Sequence, residues 1–334
     1  MFIVPTYAVA VVFCFLTMLC WGSWGNTQKL AARTWRYEFF YWDYVLGVLL
    51  FSLLSAFTLG SFWGSEGRGF AADLCQAGIA SLGSAFLGGV VFNAANILLS
   101  AAIAVCGMSV AFPVGVGLAL VLGVLVNYFG AAKGAPLYLF AGVFLITVAI
   151  LLNALAWRRA TAKRRKVPGK GLGLSIAAGV IMAFFFRFVA ASVDLENFAA
   201  PAAGKLTPYT AVFVFSLGMF ASNFLFNTLA MRYPVEGGAV SPSGYFRGRA
   251  ATHLVGVVGG MIWCAGQSFS ILASERAGAA ISYGLGQGAT LVSALWGILI
   301  WKEFKDAPRS SLWLNAAMFL FFLLGLSLLI YAGA

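Results

Sequence analysis

The sequence predicts an all-α membrane protein: ten transmembrane helices in a five-plus-five inverted repeat, with both termini extracytoplasmic. Three observations lead there. The composition is too apolar for a water-facing surface, ten apolar stretches are long enough to cross a bilayer, and a set of glycines and amides recurs at a spacing of 171 residues.

Of 334 residues, 62% are hydrophobic and 9% charged, and the mean hydropathy is +0.93. A soluble domain carries about a quarter charged residues, so this chain cannot clothe a globule in water. Spanning β-strands would alternate in short segments, whereas residues 45–59 and 317–331 are largely apolar on every face. The five cysteines are scattered through the chain without C-x-x-C spacing and read as small buried hydrophobes. The single histidine, His253, leaves no His-rich metal site and is expected at an interface rather than as a base. No metal and no cofactor is expected. The first residues lack a basic leader region, so the first span is expected to be retained.

A helix needs about 20 apolar residues to cross the hydrocarbon. Charged and Gly/Pro-rich breaks place spans at 6–31, 40–60, 76–104, 108–129, 135–156, 171–190, 208–231, 251–274, 279–301 and 311–332. Alternate loops hold 16 of the 21 basic residues: Lys29, Arg33 and Arg36; the seven of segment 158–170; Arg232, Arg247 and Arg249; Lys302, Lys305 and Arg309. The opposite loops hold Arg68, Lys133, Lys205 and Arg276. The positive-inside rule puts the rich set in the cytoplasm. The net charge of +11 is therefore a topology signal, and no nucleic-acid partner is expected. The basic loop 158–170 separates a first repeat, 1–157, from a second, 171–334.

Five spans per half force homologous halves into opposite orientations. In one ungapped register Gly88, Gly89, Gly107, Gly115 and Gly117 fall on Gly259, Gly260, Gly278, Gly286 and Gly288, and Asn96 falls on Gln267. The glycine clusters resemble phosphate loops only on paper. They lie within apolar spans, where small residues allow close helix approach, although an unwound segment at 284–288 would bare backbone.

Polar side chains inside spans are the default site candidates. The substrate-binding candidates are Trp21, Trp24, Asn93, Asn96, Arg187, Gln267, Tyr283 and Gln287. Amides and indoles offer hydrogen bonds without formal charge, and aromatic faces suit a sugar or a flat heterocycle; the competing role for each amide is glue between helices. Asp43, opening the second span, is either the partner of Lys29, Arg33 or Arg36 or a coupling carboxylate. Arg187 either snorkels toward Asp194 or Glu196 or faces the cavity as an anion-binding group. No catalytic motif is present, so no enzyme is expected.

Trp21-Gly22-Ser23-Trp24, Tyr41-Trp42-Asp43-Tyr44, Ala56-Phe57-Thr58-Leu59-Gly60, Gly88-Gly89 followed by Asn96 and Gly107, and Ser282-Tyr283-Gly284-Leu285-Gly286-Gln287 resemble the plant ureide permeases. They also resemble the bacterial glucose/ribose uptake porters of the drug/metabolite transporter superfamily. The resemblance covers nearly the whole chain and implies ten spans and uptake of a small polar solute. It also implies that Trp21, Trp24, Asn96, Tyr283 and Gln287 lie near the substrate path. Gly25 stands where the family carries proline, and Gln267 where it carries asparagine. The expectation is a secondary active or facilitative transporter in a bacterial inner membrane, embedded in lipid, importing a monosaccharide, with a proton or sodium as coupling ion. The alternatives are a ureide such as allantoin or a nucleobase derivative, a drug exporter, and a non-transporting sensor.

Overall fold

The computed structural model describes residues 1–62, 67–161, 169–302 and 307–334. Lys163, Arg164, Arg165, Lys166 and Lys305 of the predicted basic loops lie outside the described residues. Among the described residues, ten helices are long and apolar enough to cross a membrane. In chain order they are α1 Tyr7–Ala31, α2 Tyr37–Phe57, α3 Ile79–Cys106, α4 Phe112–Gly130, α5 Pro136–Ala156, α6 Gly169–Ser192, α7 Pro208–Arg232, α8 Ala250–Ala277, α9 Ala279–Ile300 and α10 Arg309–Gly333. The one β-type contact among the described residues is an isolated bridge between Val193 and Leu206. Hydrocarbon offers backbone groups no partner, so each span satisfies its own as a helix.

Local chemistry sets the ends. Thr6 and Thr207 cap α1 and α7 by accepting the backbone N–H of Val9 and Thr210. Both α3 and α8 stop at a glycine in the left-handed region, Gly107 at φ 81° and Gly278 at φ 83°, a conformation that costs a side-chain-bearing residue dearly. A short helix, Phe70–Gln76, precedes α3 in the segment that the sequence reading leaves between spans. It carries Cys75, which is exposed rather than buried as expected.

Three spans are interrupted. In α1 the helix breaks at Trp24, between Tyr7–Ser23 and Gly25–Ala31. α4 opens with a π-helical turn at Phe112–Val116 around Pro113, whose missing N–H cannot close an ordinary α turn. α9 breaks at Gly288, between Ala279–Gln287 and Ala289–Leu295, and ends in a second π-helical turn, Trp296–Ile300.

The principal helix contacts are α3 with α6 and α7, α4 with α6 and α9, α2 with α7 and α8, α1 with α8 and α9, and α5 with α10. Exchanging every helix for the one five places along returns the same set. The tightest crossings obey the same exchange. A Cβ on Gly89 would strike the Phe215 carbonyl oxygen and one on Gly218 that of Phe86, which clasps α3 to α7. Gly260 stands likewise against Tyr44, and Gly47 against Val257, clasping α2 to α8. Small residues let backbones approach this closely where lipid supplies no hydrophobic drive for association.

The outer surface carries large apolar side chains, among them Leu54, Phe144, Trp313 and Leu323, as a lipid solvent requires. The interior holds Asn93, Asn96, Asn127, Asn223 and Gln267, all buried.

Candidate functional site

The two register-related helices α3 and α8 meet at the centre of the bundle. Phe92 of α3 stacks on Trp263 of α8 with ring centroids 4.1 Å apart, and these residues are 171 positions apart. Trp21 of α1 lies parallel to Trp263, at 5.8 Å and 9°, and its indole N–H donates to the Trp263 carbonyl at 3.2 Å. One turn along, at the break in α1, Trp24 packs on Tyr44 at 4.9 Å.

These rings bound a small chamber. Trp21, Trp24, Asn96 and Gln287 share its wall with Phe92, Phe112, Phe185 and Trp263, and no charged side chain lines it. Gln287 reaches the wall because α9 breaks directly after it. The Asn96 amide nitrogen is buried and without a partner, and the Trp24 indole N–H makes no hydrogen bond among the described residues. An unpaired buried donor costs about 1–3 kcal/mol, so the Asn96 amide is a standing offer to an acceptor entering the chamber. The chamber volume is about 20 Å³, room for roughly one water, so its walls must separate before a solute fits.

Several predicted site residues are used elsewhere. Asn93 accepts from the Tyr41 hydroxyl at 3.0 Å and donates to Ser222 at 2.9 Å, joining α2, α3 and α7; it is glue and lines no part of the chamber. Tyr283 is fully buried, points its hydroxyl at the carbonyls of Ala119 (3.1 Å) and Met182 (3.4 Å), and fills the space above Gly123. It ties α9 to α4 and α6 and does not reach the chamber. Gln267 is buried one turn beyond Trp263 with both amide atoms unpartnered, off the chamber wall. Arg187 neither reaches Asp194 or Glu196 nor faces the chamber; its guanidinium lies against Gly130 at the end of α4.

Asp43 has other partners than the basic residues expected beside it. Its carboxylate is buried and pairs with none of Lys29, Arg33 or Arg36. One oxygen accepts from the Tyr245 hydroxyl at 2.5 Å and lies 2.8 Å from His253 Nδ1, and the other accepts from Trp35 Nε1 at 3.3 Å. His253 is thus an inward-facing partner of a carboxylate. Arg36 instead pairs with the buried Glu38 at 2.6 Å and reaches the carbonyls of Glu236 and Gly238. Burial, reinforced by the hydrogen bond to Asp43, raises the Tyr245 phenol above its ordinary range and keeps it a donor.

Sequence reasoning missed the aromatic walls. Phe92, Phe112, Phe185 and Trp263 look in sequence like any lipid-facing ring, and the 171-residue register links only Phe92 and Trp263.

Among the described residues, ten helices long and apolar enough to cross a membrane surround a small chamber in which two carboxamides sit among aromatic rings; the relatives of the chain make it a membrane transporter of small polar solutes rather than an enzyme. The chain belongs to the ureide permease family: the family profile, Ureide permease, matches residues 40–170 and 155–332. Ureide permease 1 and ureide permease 2 of Arabidopsis thaliana are 24% and 25% identical to it, each alignment covering 98% of both chains. A probable ureide permease A3 of Vigna unguiculata is 23% identical over 90% of this chain and 97% of its own. These relatives are plant proteins, which weighs against the expected bacterial inner membrane. A solved structure known only as a crystal structure of protein superimposes with a TM-score of 0.57 at 15% identity, over 95% of this chain and 96% of its own. That likeness speaks to the fold alone.

Proposed function

We propose that the chain carries a ureide, a small neutral solute rich in amide groups such as allantoin, across the membrane by alternating access. The carrying observation is the uncharged chamber in which Asn96, Gln287 and Trp24 hold polar groups between aromatic faces. A ureide presents N–H donors and carbonyl acceptors on a flat ring, which carboxamides pair with and indoles cover. A monosaccharide would satisfy the same groups, and the names of the relatives favour the ureide over the sugar expected from sequence.

The exchange symmetry of the helix contacts and of the Gly89 and Gly260 crossings supports an inverted five-plus-five repeat. The basic loops support cytoplasmic placement of the end that bears Lys29 and Arg36. Asp43, outside the chamber but hydrogen-bonded to His253, is the proposed coupling carboxylate.

Two experiments test this reading. Thermal unfolding of the purified protein with allantoin, glucose or a lipophilic cation should show stabilisation by allantoin alone, since a ligand stabilises the fold it binds. Stabilisation by glucose or the cation, with none from allantoin, overturns it. In proteoliposomes Asp43→Asn should abolish uphill accumulation yet leave exchange, and undiminished accumulation removes Asp43 from coupling.

A further inference from the structure

At the end of the bundle bearing Lys29 and Arg36, an open cleft of about 470 Å³ enters between α1, α2 and α3. Its inner limit can be followed along three helices. On α1, Trp21 and Trp24 line the chamber whereas Gln28 and Ala32 line the cleft; on α3, Asn96 and Leu99 face the chamber whereas Ile103 and Ala104 face the cleft. Before and within α4, Met108 lines the cleft and Phe112 the chamber. Each switch takes about one helical turn, roughly 5 Å.

One contact fills that turn. Gln28 donates to the Ser100 carbonyl at 2.9 Å and accepts from the Ser100 hydroxyl at 2.6 Å, a reciprocal buried pair between α1 and α3. Beside it Met108 seats on Gly25, where a Cβ would come within 2.8 Å of the sulfur. On its opposite side the chamber is closed by packed rings: Trp21, Phe92, Phe185 and Phe215 all pack around Trp263. Two neutral hydrogen bonds exchange readily for bonds to water or to an amide solute, so their net hold is small; separating stacked rings buried in one another forfeits dispersion and apolar burial.

We propose that Gln28 and Ser100 are a gate one helical turn thick between the central chamber and the cleft, and that solute passes it by exchanging the mutual hydrogen bonds for its own. The solute part rests on the transport reading; the barrier part does not.

The test places a reporter thiol on the chamber wall with Val116→Cys. Its rate of modification by a small water-soluble methanethiosulfonate is compared with that of native Cys106, at the cleft end of α3. With the pair intact the reporter should react slowly relative to Cys106. Adding Ser100→Ala or Gln28→Ala should speed it about tenfold, as expected for losing one or two neutral hydrogen bonds, with the Cys106 rate unchanged. Ser100→Thr, which keeps the hydroxyl, should restore slow reaction and so separates a gate from general loosening. An unchanged reporter rate in both alanine variants, or Ser100→Thr as fast as Ser100→Ala, overturns the gate. If Ser100→Ala does not fold, Gln28→Ala decides alone. Faster allantoin exchange in Gln28→Ala proteoliposomes supports solute passage, and unaltered exchange beside a faster thiol reaction overturns that part. If no protein binds allantoin while the thiol rates move as expected, the ureide reading fails and the barrier stands.

Discussion

Asn93 and Asn96 lie three residues apart on α3, both buried, and their partners set them apart. Asn93→Ala should cost about 1–3 kcal/mol of stability, because Tyr41 and Ser222 lose a partner inside the bundle, and leave allantoin-induced stabilisation intact. Asn96→Ala should do the reverse: thermal unfolding within about 0.5 kcal/mol of the parent and a loss of allantoin affinity of about tenfold. Calorimetric melts with and without ligand read both. The sequence marked both asparagines as polar residues in a span and could not rank them, since pattern shows that a group needs a partner and not which partner it has. Asp43 shows the same limit more sharply. Basic residues near it in the chain are natural partners on paper, yet its imidazole partner comes from a helix 210 positions away.

Among elements, the clasped crossings and the broken helices carry the architecture. Gly260→Leu should drive α8 off the Tyr44 carbonyl of α2 and cost about 1–3 kcal/mol or more, as overpacking does. Gly83→Ala, on α3 with nothing within 4 Å of the new Cβ, should fall within about 0.5 kcal/mol of the parent. Thermal denaturation in detergent compares the two. Glycine recurrence was legible because the close approaches at Gly89 and Gly260 stand in one 171-residue register. The break at Trp24 and the π-helical turns in α4 and α9 were not, because hydropathy windows average over several turns and are blind to a single displaced hydrogen bond. The predicted span 40–60 against the observed Tyr37–Phe57 shows the same smoothing at an aromatic, half-polar end.

For the whole molecule, ten spans followed almost directly from composition, since hydrocarbon permits few ways to satisfy a backbone. The position of the chamber followed less directly, through the register that brings Phe92 onto Trp263. Its closed state left no trace in the sequence, because conformational state is a property of packing between distant helices. Allantoin should therefore slow the Val116→Cys reaction several-fold when it occupies the chamber, and equal rates with and without it would separate ligand binding from this space. A wall without formal charge has an electrical corollary. On the proposed ureide reading the cargo crosses as a neutral body, so a steady net current through reconstituted membranes during uptake would measure ions moving with it.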